Sequence, residues 1–239
     1  LEIVGLGLTF NRMINQINCL MQEKDIKEKE RMEAEIDALQ SQINPHFISN
    51  TLNAIHLMAM IAKVESIERM TEAFIKIVNA TLSKKGRYFT IEEEVNNLHN
   101  YLYIMKVRYG DTFDYHIQIE PEILHKWILR LTLQPILENA LQHGISDIDR
   151  RGSLQIKGWE RPRGIVFEIR DNGAGLTFEQ IENLLQQKAD SKNGVTGMGI
   201  RNVNDRIKLN HGQEYGLSIE SEPGVFTLVR IHLPSLTEV

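Results

Sequence analysis

The chain has 239 residues, 42% of them hydrophobic and 25% charged, with a formal net charge of −5. That is the composition of an ordinary globular protein with room for one large or two small domains, and no basic stretch dominates any segment, which excludes a nucleic-acid footprint. The one cysteine, Cys19, excludes an intrachain disulfide framework and fits a reducing compartment, and no uninterrupted apolar run is long enough to span a bilayer.

Residues 1 to about 62 read as long helix. Phe10, Met13, Ile17 and Leu20 form one apolar seam, and Met32, Ile36, Leu39 and Ile43 form a second in a different heptad phase, separated by the highly charged Glu23 to Arg31. A solvated coiled-coil linker is the first reading of that stretch; a phase change that lets two helices of a dimer shift is the second. The opening is similar to the end of a HAMP signalling domain through Glu2, Phe10, Asn11 and Met13, with Leu1 and Val4 departing from the pattern. An opening inside a helix, with no signal peptide, leads us to expect a longer protein with a membrane-anchoring segment upstream.

In Leu39 to Asn53, Pro45 interrupts the seam because it has no N–H for the carbonyl of Ser41. A bend one turn before His46 is expected, presenting the imidazole to solvent while Ile43 and Phe47 stay buried. The helix continues through Leu52, Ile55, Met58 and Ala62, and a second amphipathic helix runs from about Ile67 to Leu82. A hairpin of this kind cannot bury both faces, so two copies should form a four-helix bundle. Lys84 to Thr90 is a break and a candidate hinge. A third helix, from Ile91 to about Tyr109, carries Glu92, Glu93 and Glu94 in its first turn, where carboxylates complement the helix dipole.

From Phe113 to Ile119 the pattern alternates, as in a half-buried strand. A helix bearing LQPILENALQHG follows, then strands at Leu154 to Trp159 and Ile165 to Arg170, a short helix within Leu176 to Lys188, a polar glycine-bearing stretch, a helix to Leu209, and strands at Leu217 to Glu220 and Phe226 to Leu233. The fold class is therefore α+β: a long helix and helical hairpin followed by an α/β sandwich with helices on one sheet face. No GxxxxGK[ST] string is present, so this is not a P-loop protein.

Helical spacing in Leu133 to Gly144 sends Leu133, Ile136, Leu137, Ala140 and Leu141 to a core and leaves Asn139, Gln142 and His143 on the other edge. Asn139 is a suitable oxygen ligand for Mg²⁺, and Glu138 beside it can order a metal-bound water. Asp171, directly after a strand, can accept a hydrogen bond from an exocyclic amine such as that of adenine, while Gly173 and Gly175 permit a close backbone approach. Gly194, Gly197 and Gly199 open a helix whose free N–H groups suit a phosphate, and the mobile polar residues before it suit a lid.

In this order the three strings resemble the N, G1 and G2 boxes of the ATP-binding fold shared by DNA gyrase, MutL-type repair proteins and histidine kinases. With QINPHFISNTLN upstream, the chain resembles the LytS/YesM-type sensor histidine kinases from about Gln40 to Pro234. The resemblance implies that His46 is phosphorylated, that Asn139 holds Mg²⁺, that Asp171 contacts adenine, and that Gly173, Gly175, Gly197 and Gly199 surround ATP. Arg201, Asn202 and Arg206 match the continuation of the G2 box, and His143 belongs with the nucleotide-side candidates. Two places depart from the family: Ile48-Ser49 stand for Leu-Phe, and Phe226 stands where a glycine would allow a close backbone approach.

The expected organisation is 1–22 as the end of a HAMP-like helix, 23–86 as coiled coil and phosphoacceptor hairpin, and 87–239 as the catalytic domain. The expected reaction is phosphoryl transfer from ATP to a ring nitrogen of His46, then to an aspartate of a response regulator. Asn50, one turn beyond His46, is a candidate orienting group, and Glu138 a candidate base. Two alternatives stay open: a dimeric module that binds ATP as a conformational ligand, and a gyrase-like ATPase without histidine phosphorylation.

Overall fold

A helix that contains Pro45 can hold it without loss only in its first turn, where the missing N–H has no partner to bond. In the computed structural model, which describes residues 45–82, 86–145, 148–186 and 198–238, Pro45 is the first described residue of α1 (Pro45–Ala62). The HAMP-like opening, the charged linker and the bend expected before His46 lie outside the described residues. The contact pattern divides the chain into two units, Leu1–Thr51 and Leu52–Val239. In the first unit Phe47, expected to be buried, is 66% exposed.

In the second unit α1 turns back at Lys63, whose φ of 54° closes the link to α2 (Glu65–Leu82). His56 ties the two helices, with Nδ1 donating to the Glu68 carbonyl at 3.1 Å and lying 3.2 Å from Thr71 Oγ1. Ala59 and Ala73 are buried, whereas Ile55, Met58 and Ile61 stay 42%, 69% and 75% exposed. Ile55 and Met58 of the expected seam, with Ile61 beside them, therefore form an open apolar face in the single chain, while Leu52 is half-buried.

Strand β1 (Tyr88–Thr90) pairs antiparallel with β3 (Trp127–Leu129). This small sheet was not expected, and it pins the last three residues of the candidate hinge. Thr90 then caps α3 (Ile91–Tyr109) through a capping box with Glu93. Glu93 thus serves the helix start as expected, but Glu94 does not lie on the surface beside it: it is fully buried. The helix ends at Gly110, with φ 63°, whose N–H donates to the Lys106 carbonyl.

The main sheet has the order β2-β4-β5-β7-β6, formed by β2 (Phe113–Ile119), β4 (Gly152–Arg161), β5 (Gly164–Asp171), β6 (Gly216–Glu222) and β7 (Phe226–Leu233). β2 and β4 are parallel because a crossover through β3 and the next helix separates them; the other pairs are antiparallel. That crossover helix is α4 (Gln134–Asn139), which widens into a π-type turn at Ala140–Ile145. The inward residues Phe113, Leu154, Ile156, Phe167 and Ile231 share one core with Leu98 and Leu102 of α3, Ile136 and Leu137 of α4, and Val203 and Ile207 of α6 (Met198–His211). Each such side chain contributes about 1.5–3 kcal/mol by leaving water. The short helix α5 (Phe178–Gln186) starts at Thr177, which exchanges hydrogen bonds with Gln180, and residues 187–197, with Gly194 and Gly197 and the rest of the expected lid, lie outside the described residues.

Candidate active site

α4 begins at a proline-containing turn, Gln134-Pro135, and ends one turn later at Asn139, so it is held less by its own length than by what it touches. The Asn139 amide donates from Nδ2 to the Pro135 carbonyl at 2.6 Å, and a Cβ built on Gly199, in the first turn of α6, would lie 3.3 Å from the same nitrogen. A side chain on Gly199 would therefore press on the asparagine. Glu138 accepts from Gln134 Nε2 at 2.9 Å. Beside it Tyr101 has its hydroxyl pushed up to about 12 by burial and then by the negative charge of Glu138, so it is neutral at physiological pH.

The π-type turn is what joins this helix to the next piece of the site. By widening at Ala140–Ile145, it brings Gly144 against Asp171: a Cβ on Gly144 would stand 2.7 Å from Asp171 Oδ1. The Gly144 carbonyl in turn accepts from Ala174 N at 2.9 Å, and a Cβ on Gly173 would collide with that carbonyl. Gly175 has φ 66°, and its missing side chain makes room for the Glu222 carbonyl. The turn Asp171–Gly175 is thus clasped on one side by the π-type turn and on the other by the β6–β7 hairpin, where Gly224 N donates to Ala174 O at 2.6 Å. Asn172 holds the turn to β4, accepting from Ser153 N at 2.6 Å and donating to Arg151 O at 3.1 Å.

Asp171 itself is only 3% exposed. Its Oδ1 accepts from Gly173 N at 2.9 Å, and burial pushes the carboxyl up to about 6 despite that bond. A buried carboxylate has about four acceptor positions, more than this turn fills, so it is suited to receive an N–H donor from a ligand. Phe226, which stands for the family glycine, lies under the Arg170 guanidinium at 4.5 Å, and the neighbouring Val225 is 47% exposed at the hairpin tip.

His46 is exposed on α1, and Asn50 one turn on lies with Nδ2 3.2 Å from its Nδ1 and 3.4 Å from its Nε2. The amide can hold the ring either way round: its nitrogen donates to an unprotonated Nδ1, or its oxygen accepts from Nδ1–H and leaves the Nε2 lone pair outward.

Residues 34–113 match a family model described as "Histidine kinase", and residues 127–237 match one described as "Histidine kinase-, DNA gyrase B-, and HSP90-like ATPase". The chain is 32% identical over 98% of its length to the sensor histidine kinase YesM of Bacillus subtilis (strain 168). The chain belongs to the LytS/YesM-type sensor histidine kinases. The sensor protein LytS of Bacillus anthracis is 29% identical over 89% of this chain. The chain spans 39% of the length of YesM and 36% of that of LytS. Among solved structures, the histidine kinase domain from the Erythrobacter litoralis EL346 blue-light activated histidine kinase has a TM-score of 0.46 at 14% identity, over 80% of this chain and 96% of that one.

Within this histidine kinase, Asn139 and Gly199 come together, as do Gly144, Asp171, Gly173 and Gly175. His143 is exposed on the π-type turn, Asn202 is exposed on α6, and Arg201 is half-buried with Nε 3.4 Å from Asp205. His46 and Asn50 belong to the first unit. Two contributors were not singled out from sequence. Gly144 ends the LQPILENALQHG string, and a glycine after a helical run is a signal for close approach. Arg150 Nη2 donates to the carbonyls of Asn172 at 2.6 Å and Gly224 at 2.8 Å, bridging two loops that no local pattern connects.

Proposed function

We propose that the chain transfers the γ-phosphoryl group of ATP to a ring nitrogen of His46 and that the phosphoryl group then passes to an aspartate of a response regulator. The observation that carries this reading is the buried Asp171 carboxylate, set in a glycine turn that is clasped to the helix ending in Asn139. Asp171 accepts the exocyclic N–H of adenine, and Gly173 and Gly175 let the base approach the backbone. The α6 start, with Gly199, takes the phosphates on its N–H groups.

Among the described residues no group of three or more His, Cys, Asp or Glu side chains could cage a metal. That suits Mg²⁺, which takes most of its shell from phosphate and water. With its nitrogen given to Pro135, Asn139 offers Oδ1 as the protein ligand, and Glu138 orders a metal-bound water. The ion, when bound, neutralises charge on the phosphates.

The His46 lone pair forms the N–P bond as the bond from the γ-phosphorus to the bridging oxygen of ADP breaks. Asn50, whose Nδ2 lies within hydrogen-bond reach of the ring, holds the imidazole for attack. No strong base is needed, because neutral imidazole already has a free lone pair near physiological pH. In this reading residues 23–86 are the coiled coil and acceptor hairpin, 87–239 the catalytic domain, and the open face of Ile55, Met58 and Ile61 pairs with a second copy. Stimulus sensing and a membrane anchor belong to the remaining share of a sensor of the relatives' length.

Incubation with γ-labelled ATP and Mg²⁺ tests the reading. An acid-labile, base-stable label that disappears in His46→Gln is the expected result. Steady phosphate release undiminished by that substitution would instead establish a gyrase-like ATPase, and nucleotide binding with neither label nor release a ligand-regulated module.

A further inference from the structure

We propose that Glu94 and Arg206 are positioning residues: together they fasten Leu131–Leu133 and so set the spacing between Asn139 and the glycine-bearing start of α6. The inference rests on the nucleotide-site reading above and extends it to two residues that would touch neither nucleotide nor metal.

Glu94 lies in the first turn of α3, where Glu92 and Glu93 face water, yet it is fully buried. Its two oxygens receive the N–H of Leu131 at 3.1 Å and of Leu133 at 2.9 Å. Leu133 is the residue before α4, so the carboxylate sits at the amino end of the helix that ends in Asn139, where N–H groups lack intrahelical partners and a negative charge meets the positive end of the dipole.

The segment it holds would not keep this shape unaided. Leu131 has φ 53°, a left-handed conformation that a branched side chain adopts only when its surroundings impose it. Here both sides of the residue are committed: its N–H to Glu94, and its carbonyl to Arg206 Nη2 at 2.7 Å. Burial lowers the basicity of the Arg206 guanidinium and the negative charge of Glu94 raises it; burial raises the Glu94 carboxyl, and the backbone N–H groups it accepts from work the other way.

Arg206 belongs to α6, about two turns after Gly199. That helix therefore meets the 131–139 segment at two separate places, Arg206 on Leu131 and Gly199 against Asn139. Two points of attachment set an angle as well as a distance. The metal ligand of the proposed site and the phosphate-binding helix start are held in register by them, while Asp171 stands at the end of β5 and meets the far end of this segment only through the turn at Ala140–Ile145.

The test uses the full chain and compares adenosine, ATP and ATP with Mg²⁺ as ligands in equilibrium titrations of Glu94→Gln and Arg206→Lys. Glutamine keeps the shape but offers one acceptor oxygen in place of two; lysine keeps the charge but cannot reproduce the planar guanidinium. Adenosine affinity should stay within about twofold, because Glu94 and Arg206 act on Leu131–Leu133 and not directly on the Asp171 turn. Affinity for ATP with Mg²⁺ should fall about tenfold or more, the usual loss when a group that orients a metal ligand is removed. Hydrogen exchange should accelerate at the Leu131 and Leu133 amides in Glu94→Gln. A lower Tm with the Mg²⁺ enhancement intact, or equal loss for adenosine and for ATP with Mg²⁺, would overturn the proposal and leave Glu94 a purely structural group. Should Glu94→Gln not fold, Arg206→Lys decides by the same ratio. Failure of the unaltered chain to bind ATP at all would overturn the underlying nucleotide reading, a result distinct from either of these.

Discussion

Replacing Asp171 by asparagine should move stability and nucleotide affinity in ways that separate its two burdens. Burial raises its carboxyl from 3.8 to about 6, equivalent to about 3 kcal/mol at 1.36 kcal/mol per tenfold in proton affinity. Below about pH 4 the group is protonated in both folded and unfolded chains. As pH rises through about 6 the folded chain must hold a buried charge, so the contribution is present in acid and lost between about pH 4 and 6. The asparagine variant has nothing to titrate there. Its Tm relative to the parent should therefore rise by roughly 6–12 °C between pH 4 and 7.5, at about 2–4 °C per kcal/mol for a chain of this size. ADP affinity at pH 7.5 should fall by about 10- to 150-fold, the value of a hydrogen bond to a charged acceptor. Thermal unfolding without ligand at the two pH values, with a fluorescent-nucleotide titration, measures both. A Tm offset equal at both pH values together with unchanged ADP affinity would refute the reasoning.

Gly173→Ala should abolish nucleotide binding and destabilise the chain by about 1–3 kcal/mol, because the new methyl meets the Gly144 backbone carbonyl and not a yielding side chain. Gly224→Ala, with φ 76° but open space around it, should cost about 1–2 kcal/mol of backbone strain and leave affinity intact; equal effects of the two in calorimetry and titration count against the clasp. Asn50→Ala should slow label formation roughly ten- to hundredfold at unchanged nucleotide affinity, and Asn50→Asp, which loses the Nδ2 donor, should stay nearly as slow; an aspartate variant as fast as the parent removes the orienting role. Ile61→Asp should convert a dimer to monomer in sedimentation equilibrium, since burying that 75%-exposed side chain at an interface is worth about 1.5–3 kcal/mol. A parent that sediments as monomer defeats the prediction.

Most of the architecture could be read from local periodicity. The helices 45–62, 65–82 and 91–109 and the strands from 113 onward have strong repeats, and a strong repeat declares which face is inward before any partner is known. Tyr88–Thr90 and Trp127–Leu129 have no such signal, for three residues cannot display an alternation, and their pairing is decided by sequence-distant hydrogen bonds. At the site, Asp171 and its glycines were legible because a carboxylate at a strand end is a local feature. Glu94 was legible only as one of three first-turn acids. Its burial depends on Leu131 and Leu133, almost forty positions away, and nothing within a helical turn of it distinguishes it from Glu93. Phe47 was misjudged because a seam in sequence states that a side chain wants company without saying whose.

The π-type turn at Ala140–Ile145 works as a ratchet tooth in the chain. One residue fewer would return the remaining five positions to ordinary helix, rotate Gly144 by roughly 100° about the axis, and turn a side chain toward Asp171 in its place. The Asn139 amide at one end and the clasp at the other are thus counted off against each other. Insertions or deletions of a single amino acid between Asn139 and Gly144 should be far less tolerated than the same changes at Ile148–Asp149, ahead of Arg150, whatever residue types are involved.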